Sequence, residues 1–187
     1  MRAFIAIELP QEIKDALASL QERLKISGAD VKWVEPKNIH LTLKFLGEVD
    51  ETKLIEITGI LDDVAAAHRI FQARVASTGA FPKPAFPRVI WAGITLGDNE
   101  TREIYEDLEE RLSFAGIPKE DRPFSSHITI GRVRSSLNKD RLAQDLKTAG
   151  TLEGKNFKVL RLTLFKSTLT PKGPAYEALK EANLKAS

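Results

Sequence analysis

The spacing of apolar residues changes period several times along the chain. Residues 2–8 (RAFIAIE) are nearly all apolar and stop just before Pro10, which suits a short buried strand. From Pro10 to Leu24, apolar residues fall at Ile13, Ala16, Leu17, Leu20 and Leu24. That spacing predicts a helix, with Pro10 near the first turn, where its missing N–H costs nothing. Short strands are predicted over 31–34 and 38–47. A helical stripe (Leu54, Ile57, Ile60, Leu61, Val64) runs from Thr52 to His68. Strands are expected over 71–75 and 89–94, separated by a Pro-rich loop, FPKPAFP. Residues 99–114 carry Ile104, Leu108 and Leu112 on one helical face. A strand is expected within 124–133 and a short helix over 138–148.

The last stretch is ambiguous by period alone. Residues 157–169 alternate well enough for one long strand, and TPKGP then supplies turn chemistry. Residues 176–184 have helical propensity, but a strand paired back across the turn is the preferred reading. Strands and helices mix without a strict βαβ rhythm. The expected class is therefore α+β, in one domain spanning 1–187.

Composition narrows the function classes. The 187 residues are 42% hydrophobic and 29% charged, ordinary for a globular protein. Twenty-eight Lys and Arg against 26 Asp and Glu leave a net charge of only +2, too mild to announce a nucleic-acid binder. The absence of Cys excludes disulfides, thiolate metal sites and thiol nucleophiles. No apolar run approaches the ~20 residues that span a bilayer, and residues 1–12 lack a cleavage-site pattern. No membrane association is expected, and the cytoplasm is the default location.

The chemistry shows in an internal repeat. Residues 40–43 read His-Leu-Thr-Leu and residues 127–130 read His-Ile-Thr-Ile, nearly half the chain later. On a strand, His40 and Thr42 share one face while Leu41 and Leu43 share the other. The same holds for His127 and Thr129 against Ile128 and Ile130. Two such strands facing each other would bring two imidazoles and two hydroxyls to one cavity. Imidazole, with an unperturbed pKa of about 6.5, serves as base or acid near neutrality. One neutral His takes a proton from the nucleophile, and one protonated His gives a proton to the leaving alkoxide. The threonine hydroxyls donate to phosphate oxygens. This chemistry calls for no metal or cofactor, and no His-Glu-x-x-His or similar ligand spacing occurs. A lone His-x-Thr-x means little. Two matched copies using two of only three histidines are hard to ascribe to chance. His68, in AAAHRI, has no such context and is expected near a helix C-terminus.

These motifs resemble those of the 2H phosphoesterase superfamily. The extensions HLTLKFLGE and HITIGRV, the segment RVIWAG and the tail STLTPKGPAYEAL look like its RNA 2′,3′-cyclic phosphodiesterase branch, also called 2′-5′ RNA ligases. The resemblance spans essentially the whole chain. It implies a bilobal α+β fold, with two pseudo-symmetric lobes of antiparallel sheet, outer helices and a central groove. It implies hydrolysis of a terminal 2′,3′-cyclic phosphate to a 2′-phosphate, with RNA, such as tRNA fragments, as the partner. In some members the same end is ligated to a 5′-hydroxyl. By resemblance His40 is the proton donor and His127 the proton acceptor. The residues alone leave these roles open, because the two copies are nearly symmetric. No Lys-x-Asp-Gly or Walker motif occurs, so any ligation is ATP-independent. A monomer is expected, since one chain holds both motifs.

Other candidates are less constrained. Phe45 and Arg132 each lie five residues past a motif histidine, on the wrong side of a strictly alternating strand. A bulge or strand end near Gly47 would turn Phe45 toward a base for stacking; otherwise it is core. Arg132, just after Gly131, would suit phosphate. Lys44 has the parity of His40 and faces either the cleft or solvent. Tyr176 could line the groove. Two alternatives stand beside the main reading: a 2H phosphodiesterase acting on a small nucleotide cyclic phosphate, and an RNA-end-binding module with little turnover.

Overall fold

The structure, a computed structural model, describes residues 1–149, 155–171 and 173–186. In chain order its elements are β1 (Arg2–Glu8), α1 (Gln11–Lys25), β2 (Val31–Trp33), β3 (His40–Glu48), α2 (Glu51–Ala67), β4 (Phe71–Lys83) and β5 (Phe86–Leu96). They continue with α3 (Asp98–Phe114), β6 (His127–Val133), α4 (Lys139–Thr148), β7 (Lys155–Val159), β8 (Arg161–Thr170) and β9 (Gly173–Asn183). A 3-10 turn, Pro36–Asn38, leads into β3.

The strands form two antiparallel sheets. The first has the order β3-β1-β8-β9 and the second β2-β6-β5-β4-β7. The fold is the expected α+β, with one motif strand in each sheet. Helices back the sheets crosswise. The helix after β1, α1, packs against β6 of the second sheet, and α4 packs against α1 and β5. The helix after β5, α3, packs against β3 of the first sheet and against α2, which lies on β8 and β9. Gln21 of α1 fixes one of these crossings, since its buried Nε2 donates to the carbonyls of Val34 and Ile130, each at 2.8 Å. The apolar partners of the motif histidines do what alternation predicts: Leu41, Leu43, Ile128 and Ile130 are all buried in the core. Among the described residues no helix is long and apolar enough to cross a membrane.

Two expectations are corrected. The strands around the Pro-rich segment run much further than 71–75 and 89–94. They form a hairpin through that segment, with Pro82 opposite Pro87 near its tip. Among the described residues β4 has no β7 neighbour beyond Val75, so the outer edge of Phe81–Lys83 needs no donor and tolerates proline. Residues 157–169 are not one strand. The chain leaves the ladder at Leu160, where β7 ends its pairing with β4 in the second sheet and β8 begins pairing with β1 in the first. The alternation slips phase there, with Phe157 and Val159 buried before the change of sheet and Leu162 and Leu164 after it, and Leu160 left 50% exposed between them. The strand preferred for the C-terminal stretch is β9, paired along its length with β8. Within the TPKGP turn, Lys172 lies outside the described residues.

Candidate active site

The two motif strands are built alike. His40 opens β3 and His127 opens β6, and both side chains are half-buried. In each case Nδ1 lies 2.7 Å from the carbonyl oxygen two residues earlier, Asn38 for His40 and Ser125 for His127. A carbonyl only accepts, so Nδ1 carries the proton and donates in both rings. Nε2 is then the reactive nitrogen of each. Asn38 is itself tied down, its Nδ2 donating to the Pro174 carbonyl at 2.9 Å.

Each strand also carries one extra residue at the same place. β1 pairs Ala6 with Thr42 but Ile5 with Lys44, so Leu43 is a bulge. β5 pairs Trp91 with Thr129 but Ile90 with Gly131, so Ile130 is a bulge. One extra residue reverses the side-chain alternation beyond it. Phe45 and Arg132 therefore return to the faces of their histidines, and both are exposed. The bulge lies at Leu43, the last residue of the motif, and a second register shift opposite Ala3 and Phe4 follows before Gly47.

The same reversal sends Lys44 inward. It faces neither cleft nor solvent and is 2% exposed. Its Nζ donates to the Pro118 carbonyl at 2.6 Å and lies 2.5 Å from Glu109 Oε1. The contact with Glu109 is ionic and is not aligned as a hydrogen bond, since that oxygen has no hydrogen-bond partner.

An aromatic wall surrounds His40. Phe4 stacks on the imidazole with centroids 4.8 Å apart, and Tyr176 meets it edge-on at 5.3 Å. Phe165 and Phe45 extend the cluster through Phe4, at 5.2 and 6.2 Å. Sequence reasoning missed Phe4 and Phe165. Strict alternation in RAFIAIE, which puts Phe4 on the side of Glu8, was the available signal. Burial in this wall pushes the His40 imidazole down to about 4; the Asn38 carbonyl opposes the shift, and the Lys14 ammonium reinforces it. Lys14 is held there by donating to the Lys37 carbonyl at 3.3 Å. Glu8, opposite His40 on β1, accepts from Thr163 Oγ1 at 3.3 Å and lies 3.9 Å from Arg161, whose guanidinium pairs more closely with Glu181 at 2.9 Å.

On the other sheet Phe81 meets the His127 ring edge-on at 5.0 Å, and Trp91 lies beside Phe81 at 5.4 Å. The two motif strands pack against each other across the groove. Tyr176, which covers His40, also feels the field of Arg132. Burial pushes the Tyr176 hydroxyl up, and the Arg132 charge pulls it partly back. His40, Thr42, Phe45 and Tyr176 thus share one groove with His127, Thr129 and Arg132, with both threonines half-buried on their histidines' faces. The third histidine, His68, caps the C-terminus of α2, with Nε2 3.1 Å from Asp107, away from this cluster. Among the described residues no group of three or more His, Cys, Asp or Glu is arranged to hold a metal.

Known proteins resemble this chain in sequence and fold. The family model described as LigT like Phosphoesterase matches residues 7–91 and 96–176. The chain is 40% identical to an RNA 2′,3′-cyclic phosphodiesterase of Methanocaldococcus jannaschii over 97% of this chain and 99% of the relative. It is 38% identical to one of Thermotoga maritima, over 97% and 94%. The crystal structure of TT0787 of Thermus thermophilus superposes with a TM-score of 0.83 and 30% identity, covering 100% of this chain and 99% of that one. The structure of Escherichia coli LigT complexed with 3′-AMP shares the fold, with a TM-score of 0.78 at 23% identity over 98% and 97%.

Proposed function

The chain belongs to the LigT-like phosphoesterase family, and from that premise we propose that it opens the 2′,3′-cyclic phosphate at the end of an RNA to a 2′-phosphate. The observation that carries this reading is the matched pair of imidazoles, each with Nδ1–H fixed on a carbonyl and Nε2 left for proton transfer. Such a pair supplies an acid and a base to opposite sides of one phosphorus. Curated relatives that match nearly end to end carry the same activity in their names.

His127 takes the proton of the attacking water, and His40 gives a proton to the 3′-oxygen as its bond to phosphorus breaks. Burial makes a protonated His40 a strong acid. The bound phosphate anion offsets part of the cost of charging that imidazole. Thr42 and Thr129 donate to the non-bridging oxygens, where negative charge grows. Arg132 supplies a permanent cation in the groove and suits phosphate geometry. The aromatic wall on the His40 side, ending in exposed Phe45, provides a face for the terminal base. A 5′-hydroxyl in place of water would give a 2′-5′ linkage by the same steps without ATP. Both motifs lie on one chain, so a monomer carries the whole site. Cleaved tRNA ends are substrates with the required chemistry, and the cytoplasm is where they would be met.

Incubating the protein with a short RNA bearing a 2′,3′-cyclic phosphate, and identifying the end produced, tests this reading. Opening to a 3′-phosphate, or no opening at all, would overturn it.

A further inference from the structure

His40 and His127 are oriented by the same kind of bond, but the two carbonyls are held by different structures. The Asn38 carbonyl, which accepts from His40, lies in the 3-10 turn. That turn is closed by the Asn38 amide on the Glu35 carbonyl at 2.8 Å and by Asn38 Nδ2 on Pro174. The Ser125 carbonyl, which accepts from His127, lies near the end of residues 115–126, which form no helix or strand. Ser125 is exposed. A carbonyl in such a segment changes direction easily unless the residues around it are fixed. The Ile94 amide donates to the Ser126 carbonyl at 3.2 Å, so β5 fixes the residue after Ser125.

One stripe of α3 fixes the residues before it. Arg102, Tyr105 and Glu109 are spaced by three and four residues and share a helix face. Arg102 Nη1 donates to the Phe124 carbonyl at 3.2 Å. The Tyr105 ring lies flat on the Phe124 ring, with centroids 4.1 Å and planes 12° apart. Glu109 Oε2 accepts from the Glu120 amide at 2.7 Å. Tyr105 and Glu109 are both buried. A buried carboxylate needs a counter-charge, and Lys44 of β3 supplies it. Lys44 also donates to the Pro118 carbonyl in the same segment. The strand that carries His40 is thus tied, through α3, to the segment that orients His127. A buried ion pair is by itself weak grounds for stability, since desolvation offsets the attraction.

We propose that this stripe, with Glu109 held by Lys44, sets the tautomer of His127. It keeps the Ser125 carbonyl on Nδ1 and so leaves Nε2 to accept a proton. Arg102, Tyr105 and Glu109 are positioning residues, since each acts through the Ser125 carbonyl. The proposal rests on the base role given above to His127. Without the orienting bond the imidazole divides between two tautomers. The one with its proton on Nε2 has no lone pair to offer the nucleophile there.

The test reads the tautomer of each histidine in the full chain without RNA. Long-range proton–nitrogen NMR spectra are recorded at about pH 8, where an ordinary imidazole is neutral. His40 and His68 are internal controls, and kcat and KM on a 2′,3′-cyclic phosphate RNA are measured alongside. Wild type should show the His127 proton on Nδ1. Lys44→Met/Glu109→Leu exchanges the buried pair for apolar side chains. There His127 should populate both tautomers while His40 keeps its own, and kcat should fall about 10- to 100-fold with little change in KM. Lys44→Met/Glu109→Gln removes the same charges but keeps an oxygen for the Glu120 amide, and should regain the His127 signal and most of kcat. Arg102→Met changes a side chain that is 42% exposed and should shift His127 the same way to a smaller extent. It decides the matter alone if the double variants do not fold. An unchanged His127 tautomer in both the Leu variant and Arg102→Met overturns the proposal and leaves β5 as the anchor. Equal loss at His40 and His127 overturns it too, as does a Gln variant no better than the Leu variant. A wild type with the expected tautomers that opens no cyclic phosphate overturns the reaction given above, and leaves the orienting stripe standing.

Discussion

Phe45 and Arg132 hold equivalent positions in the two halves of the protein. Each lies five residues beyond a motif histidine, and each is brought back to that histidine's face by a one-residue bulge, at Leu43 and at Ile130. The internal repeat thus includes a backbone irregularity as well as four residue types. What differs is the side chain delivered, a ring on the His40 side and a guanidinium on the His127 side. Phe45→Ala should raise KM about tenfold with a smaller change in kcat, the loss of one stacked base. Arg132→Met should lower kcat/KM by about 10- to 100-fold, the loss of a charged hydrogen bond, with Arg132→Lys restoring only part. Steady-state kinetics on a cyclic-phosphate RNA checks both, and an unchanged KM in Phe45→Ala would return that ring to a purely structural role.

Proton transfer by two imidazoles makes the rate bell-shaped in pH. Burial and Lys14 hold His40 at about 4 in the free protein. The limb of the kcat/KM profile that belongs to His40 should therefore lie near pH 4 rather than near 6.5. Lys14→Gln removes a cation that opposes protonation, so that limb should move to higher pH. A limb that stays in place in the variant would show that Lys14 does not act on His40.

The same depressed value bears on stability. Above pH 6.5 His40 is neutral in both the folded and unfolded chain, and its environment costs nothing. As pH falls from 6.5 toward 4, the unfolded chain binds a proton that the folded chain refuses, so stability is lost across that window. His40→Phe should flatten this part of the stability curve, as read by urea unfolding at a series of pH values. A curve of the same slope in the variant would mean that His40 titrates normally.

Lys44 and Glu109 are 2% and 7% exposed and face each other at 2.5 Å. Lys44→Met strands a buried carboxylate and should cost about 3–5 kcal/mol in urea unfolding. Adding Glu109→Leu should recover most of that loss. If the double variant is no more stable than the single one, the ion pair is not the source of the cost.

Much of this was legible in the sequence. Alternation placed His40 with Thr42 and His127 with Thr129, and it buried their apolar partners. The turn chemistry of TPKGP supported a strand paired back for the C-terminal stretch, now β9. The bulges were not legible, because Leu43 and Ile130 look like any other core position and the extra residue shows only against the neighbouring strand. That is why Lys44 was expected at the cleft or in solvent and is found in the core. The hairpin through FPKPAFP was hidden for a related reason. Proline argues against a strand unless the edge is free, and whether an edge is free depends on where β7 stops. Nor could period reveal that α1 and α3 each cross to the other sheet, since an amphipathic face does not say which sheet covers it.

The most direct test of the two-histidine account uses one substrate and three proteins. Wild type, His40→Ala and His127→Ala are each given a 2′,3′-cyclic phosphate RNA in excess EDTA without ATP. The account predicts opening to a 2′-phosphate by wild type and a loss of about 10²–10⁴-fold in each variant. Near-full activity in either variant, or activity abolished by EDTA, would contradict it.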